Sequence, residues 1–205
     1  MDEALPGLWH WTAVHPNLGI LVHSHYFPAA RTVFDPLLPD EGLEFFEEHG
    51  APERVVLSNR HHLRHAERFA EAFGSELLCN RDGLHEFDGG PAVRGFRPGD
   101  KLAPGVEARE LGVICPDDTA FHLDVGPGVL LFADAVIRAG RDEGGDLTFV
   151  PDRYIGDEPE LIKRGVRMAC SRLAEADDFD ALLFAHGYPL PAGGRDALVR
   201  FARGG

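Results

Sequence analysis

Lysine is almost missing from this chain: Lys101 and Lys163 are the only two among 205 residues, and the other cations are arginines. Arginine does not readily give up its proton, so a Schiff-base or general-base lysine is not expected. Basic residues are also outnumbered, 20 against 34 acidic ones, for a formal net charge of −14. A nucleic-acid or anionic-membrane partner needs a basic surface, so neither is expected. Cysteine is sparse. Cys79, Cys115 and Cys170 are odd in number, far apart and without a C-x-x-C pair, which argues against a disulfide framework or a thiolate zinc site and fits a reducing cytoplasm. No apolar run approaches the roughly 20 residues of a membrane helix. Met1-Asp2-Glu3 has no basic region or long apolar run after it, so no signal peptide is apparent. A glycine-rich phosphate loop, an internal repeat and a low-complexity segment are missing as well.

What is present suits a globular protein. Hydrophobic residues make up 44%, enough for a buried core. No composition break divides the chain, so residues 1–205 read as a single domain. Trp9–Val14, Gly19–His23 and Thr32–Phe34 read as strands separated by turn signals. Pro39–His49 reads as an amphipathic helix capped by Gly50. Val55–Leu57 reads as a short buried strand, Ala66–Phe73 as a helix and Glu76–Leu78 as another strand. Residues 81–104 are rich in Gly, Pro and Asp and read as loop or hairpin. Val106–Ile114, Ala120–Val125 and Val129–Phe132 read as strands. Pro159–Ala174 reads as a helix, with Asp157 and Glu160 resembling a capping box. Ala181–Phe184 reads as a last buried strand and Arg195–Arg203 as a last helix. This order predicts a sheet-on-sheet core with helices packed outside.

Polar groups gather just beyond the apolar strands. The densest stretch is Ser58-Asn59-Arg60-His61-His62-Leu63-Arg64-His65, between a strand and a helix. Cys115-Pro116-Asp117-Asp118-Thr119, Ala133-Asp134-Ala135 and Ala185-His186-Gly187 are the others. A carboxylate or imidazole at the end of an apolar strand needs a partner, a metal or solvent. Several such loops, each after an apolar strand, predict convergence on one site. The alternative is a set of independent caps and turns. The remaining histidines read as structural: His23 and His25 as surface or rim residues and His122 as a packed one. Trp9 and Trp11 read as packing or pocket-rim residues.

In their order and strand context these motifs resemble the metallo-β-lactamase superfamily. Thr32-Val33-Phe34-Asp35-Pro36 resembles that family's early strand followed by Asp-Pro. The resemblance implies an α/β (α+β) fold, a four-layer αββα sandwich with a site at one edge of the two sheets. It also implies one or two metal ions, usually zinc, that activate a water for hydrolysis. Against the family's His-x-His-x-Asp-His, Asn59 stands at the first His and His61 keeps the second. Leu63 replaces the Asp and Arg64 the third His. Asp118 stands where a later turn has His, whereas Asp134 keeps the bridging Asp and His186 the last His.

The resemblance thus implies at most one divalent ion, on His61, Asp118 and Asp134, with Asn59 as a weak further donor. Oxygen donors would admit manganese or iron beside zinc. Asp134 and His186 are the expected catalytic residues, the first orienting a water and the second serving the leaving group. Arg64 brings a fixed charge to the second metal position. In a metal-free alternative it pairs with Asp134 or an anionic ligand. After a register shift, His62 or His65 could replace a missing ligand. Two functions stay open: a hydrolase of a small ester, thioester, lactone or phosphoester, and a catalytically silent relative that binds a small anionic ligand or a protein partner.

Overall fold

The computed structural model describes residues 1–140 and 145–204. Seven strands form the first sheet in chain order: β1 (Asp2–Leu5), β2 (Leu8–Val14), β3 (Leu21–Phe27), β4 (Thr32–Phe34), β5 (Arg54–Val56), β6 (Glu76–Asn80) and β7 (Val93–Phe96). Its first three pairings are antiparallel and its last three parallel. Helices α1 (Glu44–His49) and α2 (Ala66–Phe73) lie in the connections of the parallel part, as parallel crossovers require. The second sheet draws on β8 (Lys101–Ala103), β9 (Val106–Glu110), β10 (Thr119–Leu123) and β11 (Val129–Phe132). A small hairpin of β12 (Ile137–Arg138) and β13 (Leu147–Thr148) follows, then α3 (Pro159–Ala176), β14 (Ala181–Phe184) and α4 (Gly194–Arg203). The second sheet has the order β14-β11-β10-β9-β8.

Short apolar strands that lack a polar face explain the layering. Side chains alternate across a strand, and here both faces find apolar neighbours. Val56, Leu78, Leu131 and Leu183 enter the core between the sheets, together with Phe34, Phe96 and Phe121. Their neighbours Val55, Leu57, Leu77 and Cys79 turn the other way, onto Phe46 of α1 and Phe69 of α2. Leu130, Phe132, Leu182 and Phe184 pack against Val166, Cys170, Leu198 and Phe201 of α3 and α4. The result is the expected αββα sandwich. Among the described residues no helix is long and apolar enough to cross a membrane.

Several boundaries differ from the sequence reading. Helix α1 starts only at Glu44, because Gly42 (φ 72°) donates its N–H to the Pro39 carbonyl and closes a turn first. Strand β3 runs on to Phe27, which buries His23 and His25 instead of leaving them at the rim. His122 is partly exposed and its Nε2 bonds the Asp178 carbonyl, so it is not a packed core residue. The capping box is absent: Glu158 is the cap of α3 and makes no side-chain bond. Residues 81–104 hold a 3-10 turn and two short strands, β7 and β8. Trp9 and Trp11 pack edge-on to Phe45 and Phe46.

Phe121 joins the two sheets, since its ring meets Phe34 at 5.4 Å and Phe96 at 5.9 Å between centroids. Truncation there opens a cavity that neither sheet can close alone. Phe121→Ala is expected to lower unfolding stability by about 3–5 kcal/mol, read from denaturant midpoints; a loss below about 1 kcal/mol would mean that the sheets are not held together there.

Candidate metal centre

The loops that follow β4, β5, β11 and β14 meet at one end of the sandwich because in each sheet the strands that carry them are parallel neighbours. β11 and β14 pair with Phe132 opposite Phe184, so Asp134 and His186 leave the second sheet at the same edge. β4 and β5 pair with Phe34 opposite Val56, which brings Asp35 beside Ser58. Asn59 then starts a 3-10 turn over Arg60–His62, and its Oδ1 accepts the His61 N–H at 2.9 Å. That bond orients the amide, so Nδ2 faces Asp134 and donates to its Oδ2 at 2.8 Å.

His62 is the centre of the cluster. Its Nδ1 lies 3.1 Å from Asp35 Oδ2 and 2.9 Å from Ser58 Oγ. Its Nε2 lies 3.5 Å from Asp134 Oδ1, and His186 Nε2 approaches that same oxygen at 3.1 Å. Asp35 is sealed, at 1% exposed, and also accepts from the Ser58 N–H at 2.8 Å and from the Ser58 hydroxyl. The ligand-capable atoms of His62, Asp134 and His186 all lie within 4.8 Å of one another. Two imidazole nitrogens and one carboxylate oxygen suit a divalent transition ion. A carboxylate behind one imidazole is the usual support for such a ligand. The donor set therefore fits a single ion, with solvent access at Asp134 and His186, each about a fifth exposed on its side chain.

Burial and charge set the protonation states. Burial lowers the His62 pKa, but Asp35 foremost and Asp134 outweigh it and bring it up to about 9. Burial would raise the Asp134 carboxyl, yet the adjoining His62 and His186 hold it well below the usual carboxylate range. Asp35 is lowered too, since His62, Arg64 and Ser58 overcome its burial. Burial lowers His186, and Asp134 only partly offsets this. Asp118 goes the other way: burial and the Asp134 charge push it well above its ordinary value. Its two oxygens are buried and have no hydrogen-bond partner among the described residues.

The site departs from the sequence expectation at several positions. Asp134 and His186 come together, but His61 is exposed and stands outside the grouped ligands. His62 takes its place. In a 3-10 turn, residues three apart share a side, so Asn59 and His62 face Asp134 while His61 points away. An alternating register, as in an extended His-x-His, selects the wrong histidine. Asp118 is near Asp134 but is not in the group. Asn59 orients Asp134 with its amide N–H rather than offering it a fellow donor oxygen. Arg64 does not bond Asp134. Its Nη1 donates to the carbonyls of His23 at 2.9 Å and Asp35 at 2.6 Å. Cys115 is half-buried, and burial and nearby Asp118 raise its thiol pKa, so it is not a ready nucleophile.

Asp35 and Ser58 had no role assigned from the sequence, although the Asp-Pro after β4 was visible there. Three buried histidines were also missed. His10 Nε2 and His23 Nδ1 are 2.8 Å apart, and His25 Nε2 bonds the Phe184 carbonyl at 3.0 Å, just before the His186 loop. Burial lowers their pKa values to about 4, 2 and 3 for His10, His23 and His25.

These shifts predict a stability maximum near neutral pH for metal-free protein. His62 binds its proton more tightly when folded, so its contribution is complete below about 6.5 and is lost as pH rises through about 9. His10, His23 and His25 bind theirs less tightly when folded, so their contribution is complete above about 6.5 and is lost as pH falls. Calorimetric melting from pH 5 to 10 is expected to show both limbs. His62→Asn should flatten the alkaline limb alone; a variant that keeps the full alkaline decline would place its cause elsewhere.

No protein-family model matches the chain, and no curated protein sequence does. Solved structures do resemble it. A metallo-β-lactamase family protein from Thermus thermophilus is 16% identical with a TM-score of 0.66, over 97% of this chain and 79% of that one. A β-lactamase domain protein from Burkholderia ambifaria is 17% identical with a TM-score of 0.64, over 98% and 75%. A third protein, solved in a di-iron-bound form, is 18% identical with a TM-score of 0.58, over 92% and 91%. With the layer order and the placement of the strand-end loops, these likenesses establish that the chain has the metallo-β-lactamase fold.

Proposed function

We propose that the protein is a metal-dependent hydrolase holding one divalent ion on His62, Asp134 and His186. The observation that carries this is the convergence of those three side chains with Asp35 behind His62. When bound, such an ion lowers the pKa of a water and polarises a carbonyl or phosphoryl oxygen. The chain's own residues prepare the site. Asp35 accepts the Nδ1 proton of His62 and so leaves Nε2 facing Asp134. Asn59 ties down Asp134 Oδ2, so Oδ1 is the oxygen turned to both imidazoles. Burial and the Asp134 charge favour the protonated form of Asp118 beside them. The substrate class, a small ester, thioester, lactone or phosphoester, rests on the fold alone.

A second reading has one observation in its favour. His62 between Asp35 and Asp134 is a stable imidazolium, so a positive charge is already in place without a metal. The same fold would then bind a ligand without turning it over.

Metal analysis separates the two. Protein purified without chelators is expected to carry about one zinc, manganese or iron per chain, and Asp134→Ala and His186→Ala to lose it. Asp35→Asn should weaken metal binding about 10–100-fold while the donor atoms remain. If zinc, manganese and iron all fail to bind stoichiometrically when added to the wild type, the hydrolase reading is wrong.

A further inference from the structure

Strand β4 stops early, and what fills its place belongs to the site. Phe34 is paired with His25 of β3, so the next main-chain pair on that side of β3 would set His23 against Pro36. Two features forbid it. Asp35 is left-handed, at φ 46°, and turns the chain out of the ladder. Pro36 has no N–H to give. His23 is buried, so its main-chain N–H and C=O must find other partners. The N–H donates to the carbonyl of Ala185, the residue before His186, at 3.0 Å. The C=O accepts from Nη1 of Arg64, in the loop that carries His62, at 2.9 Å. The carbonyl that Pro36 would have offered goes to the His65 N–H at 2.9 Å.

One short segment of β3 therefore holds both histidine loops. On the His186 side, His25 adds a second bond, from its Nε2 to the Phe184 carbonyl at 3.0 Å. On the His62 side, Arg64 Nη1 also donates to the Asp35 carbonyl at 2.6 Å, and that carbonyl takes the Ser24 hydroxyl at 2.8 Å. Arg64 has a left-handed backbone of its own, at φ 42°, a conformation that a long side chain adopts at a cost. Asp35 and Arg64 are thus two strained residues joined by a hydrogen bond, and the Asp35 carboxylate holds His62. Strain of this kind persists only where the surroundings impose it, and here they are the edge of β3 that β4 leaves unpaired. Arg64 Nη2 is buried without a partner among the described residues, so the connection runs through the single nitrogen Nη1.

We propose that Arg64 is a positioning residue: it stands in for the missing strand donor at His23 and so fixes the His62 turn against the segment of β3 that anchors the His186 loop. The two rings lie 5.4 Å apart between centroids. His62 follows β5 of the first sheet and His186 follows β14 of the second, so no strand ladder sets that spacing. The main chain of His23 does, because its N–H reaches one loop and its C=O the other. Loss of the Arg64 donor leaves the buried His23 carbonyl unpaired and frees the His62 turn from the brace. The placement of the two rings does not depend on any metal; its consequence for ion affinity rests on the hydrolase reading.

The test compares two variants of the full chain: Arg64→Met, which has no donor, and Arg64→Lys, which returns one nitrogen to the place of Nη1. In metal-free protein, Arg64→Met is expected to speed hydrogen exchange at the His23 amide about tenfold or more. It should also shift the imidazole nitrogen signals of both His62 and His186. Zinc affinity, measured by competition with a chromophoric chelator, should fall about 10–100-fold. Arg64→Lys should restore most of all three. Phe121→Ala is the control for lost stability alone and should keep the imidazole signals and the zinc affinity. If circular dichroism shows that Arg64→Met does not fold, Arg64→Gln, whose amide is too short to reach both carbonyls, is read in the same way. The proposal is overturned if the His23 amide and the His186 signals stay as in the wild type, or if Phe121→Ala reproduces the changes. It is also overturned if the wild type binds zinc and the Arg64→Met protein binds it equally well. A wild type that takes up no zinc, manganese or iron removes the hydrolase reading alone, and the His23 exchange and the imidazole signals then decide this one.

Discussion

A carboxylate with almost no solvent is tolerable only when every lone pair is taken up, and the side chain of Asp35 meets that condition with groups that then lose their own freedom. It accepts from the Ser58 N–H, the Ser58 hydroxyl and His62 Nδ1. Its main-chain carbonyl takes the Ser24 hydroxyl and Arg64 Nη1. Strand β3, the loop after β5 and the start of α2 are all tied to this one residue. Its left-handed backbone, at φ 46°, is what allows carbonyl and carboxylate to serve different neighbours, and a short polar residue bears that conformation better than most. The direction of His62 Nε2, and with it the site, follows from these bonds.

The histidines around this point show how little residue type alone decides. His10, His23 and His25 are as buried as His62 and sit in the same end of the sandwich. They remain neutral because they meet one another, Tyr188 and main-chain carbonyls. His62 is charged because two carboxylates touch it. Burial acts on all four in the same direction, and contact with an anion reverses the outcome for one of them.

The layers of the fold were legible because runs such as Val129–Phe132 and Ala181–Phe184 are apolar on both faces, and only a sheet covered on both sides satisfies that. Asp134 and His186 were legible because each follows such a run directly. Their meeting depends on parallel pairing in register, which the strand order supports. The choice between His61 and His62 was not legible. It turns on whether three residues form an extended segment or a 3-10 turn, and the deciding bond, from His61 N–H to the Asn59 side chain, is compatible with either spacing on paper. The burial of His23 and His25 was missed for a related reason: β3 continues to Phe27 because its polar members find partners elsewhere in the chain, Ser24 the Asp35 carbonyl, His23 the His10 ring and His25 the Phe184 carbonyl 159 positions away in sequence. Long-range partners of this kind leave no local mark.

Pairing between β11 and β14 also orders events in time. The first sheet is laid down strand after strand, each beside its predecessor, so it can grow as the chain leaves the ribosome. The second sheet receives β14 only after α3 has been made. His186 travels with that strand. Until it docks, His62 and Asp134 form a pair without their third member. The clustered trio therefore exists only once β14 has docked beside β11, however early the first sheet forms.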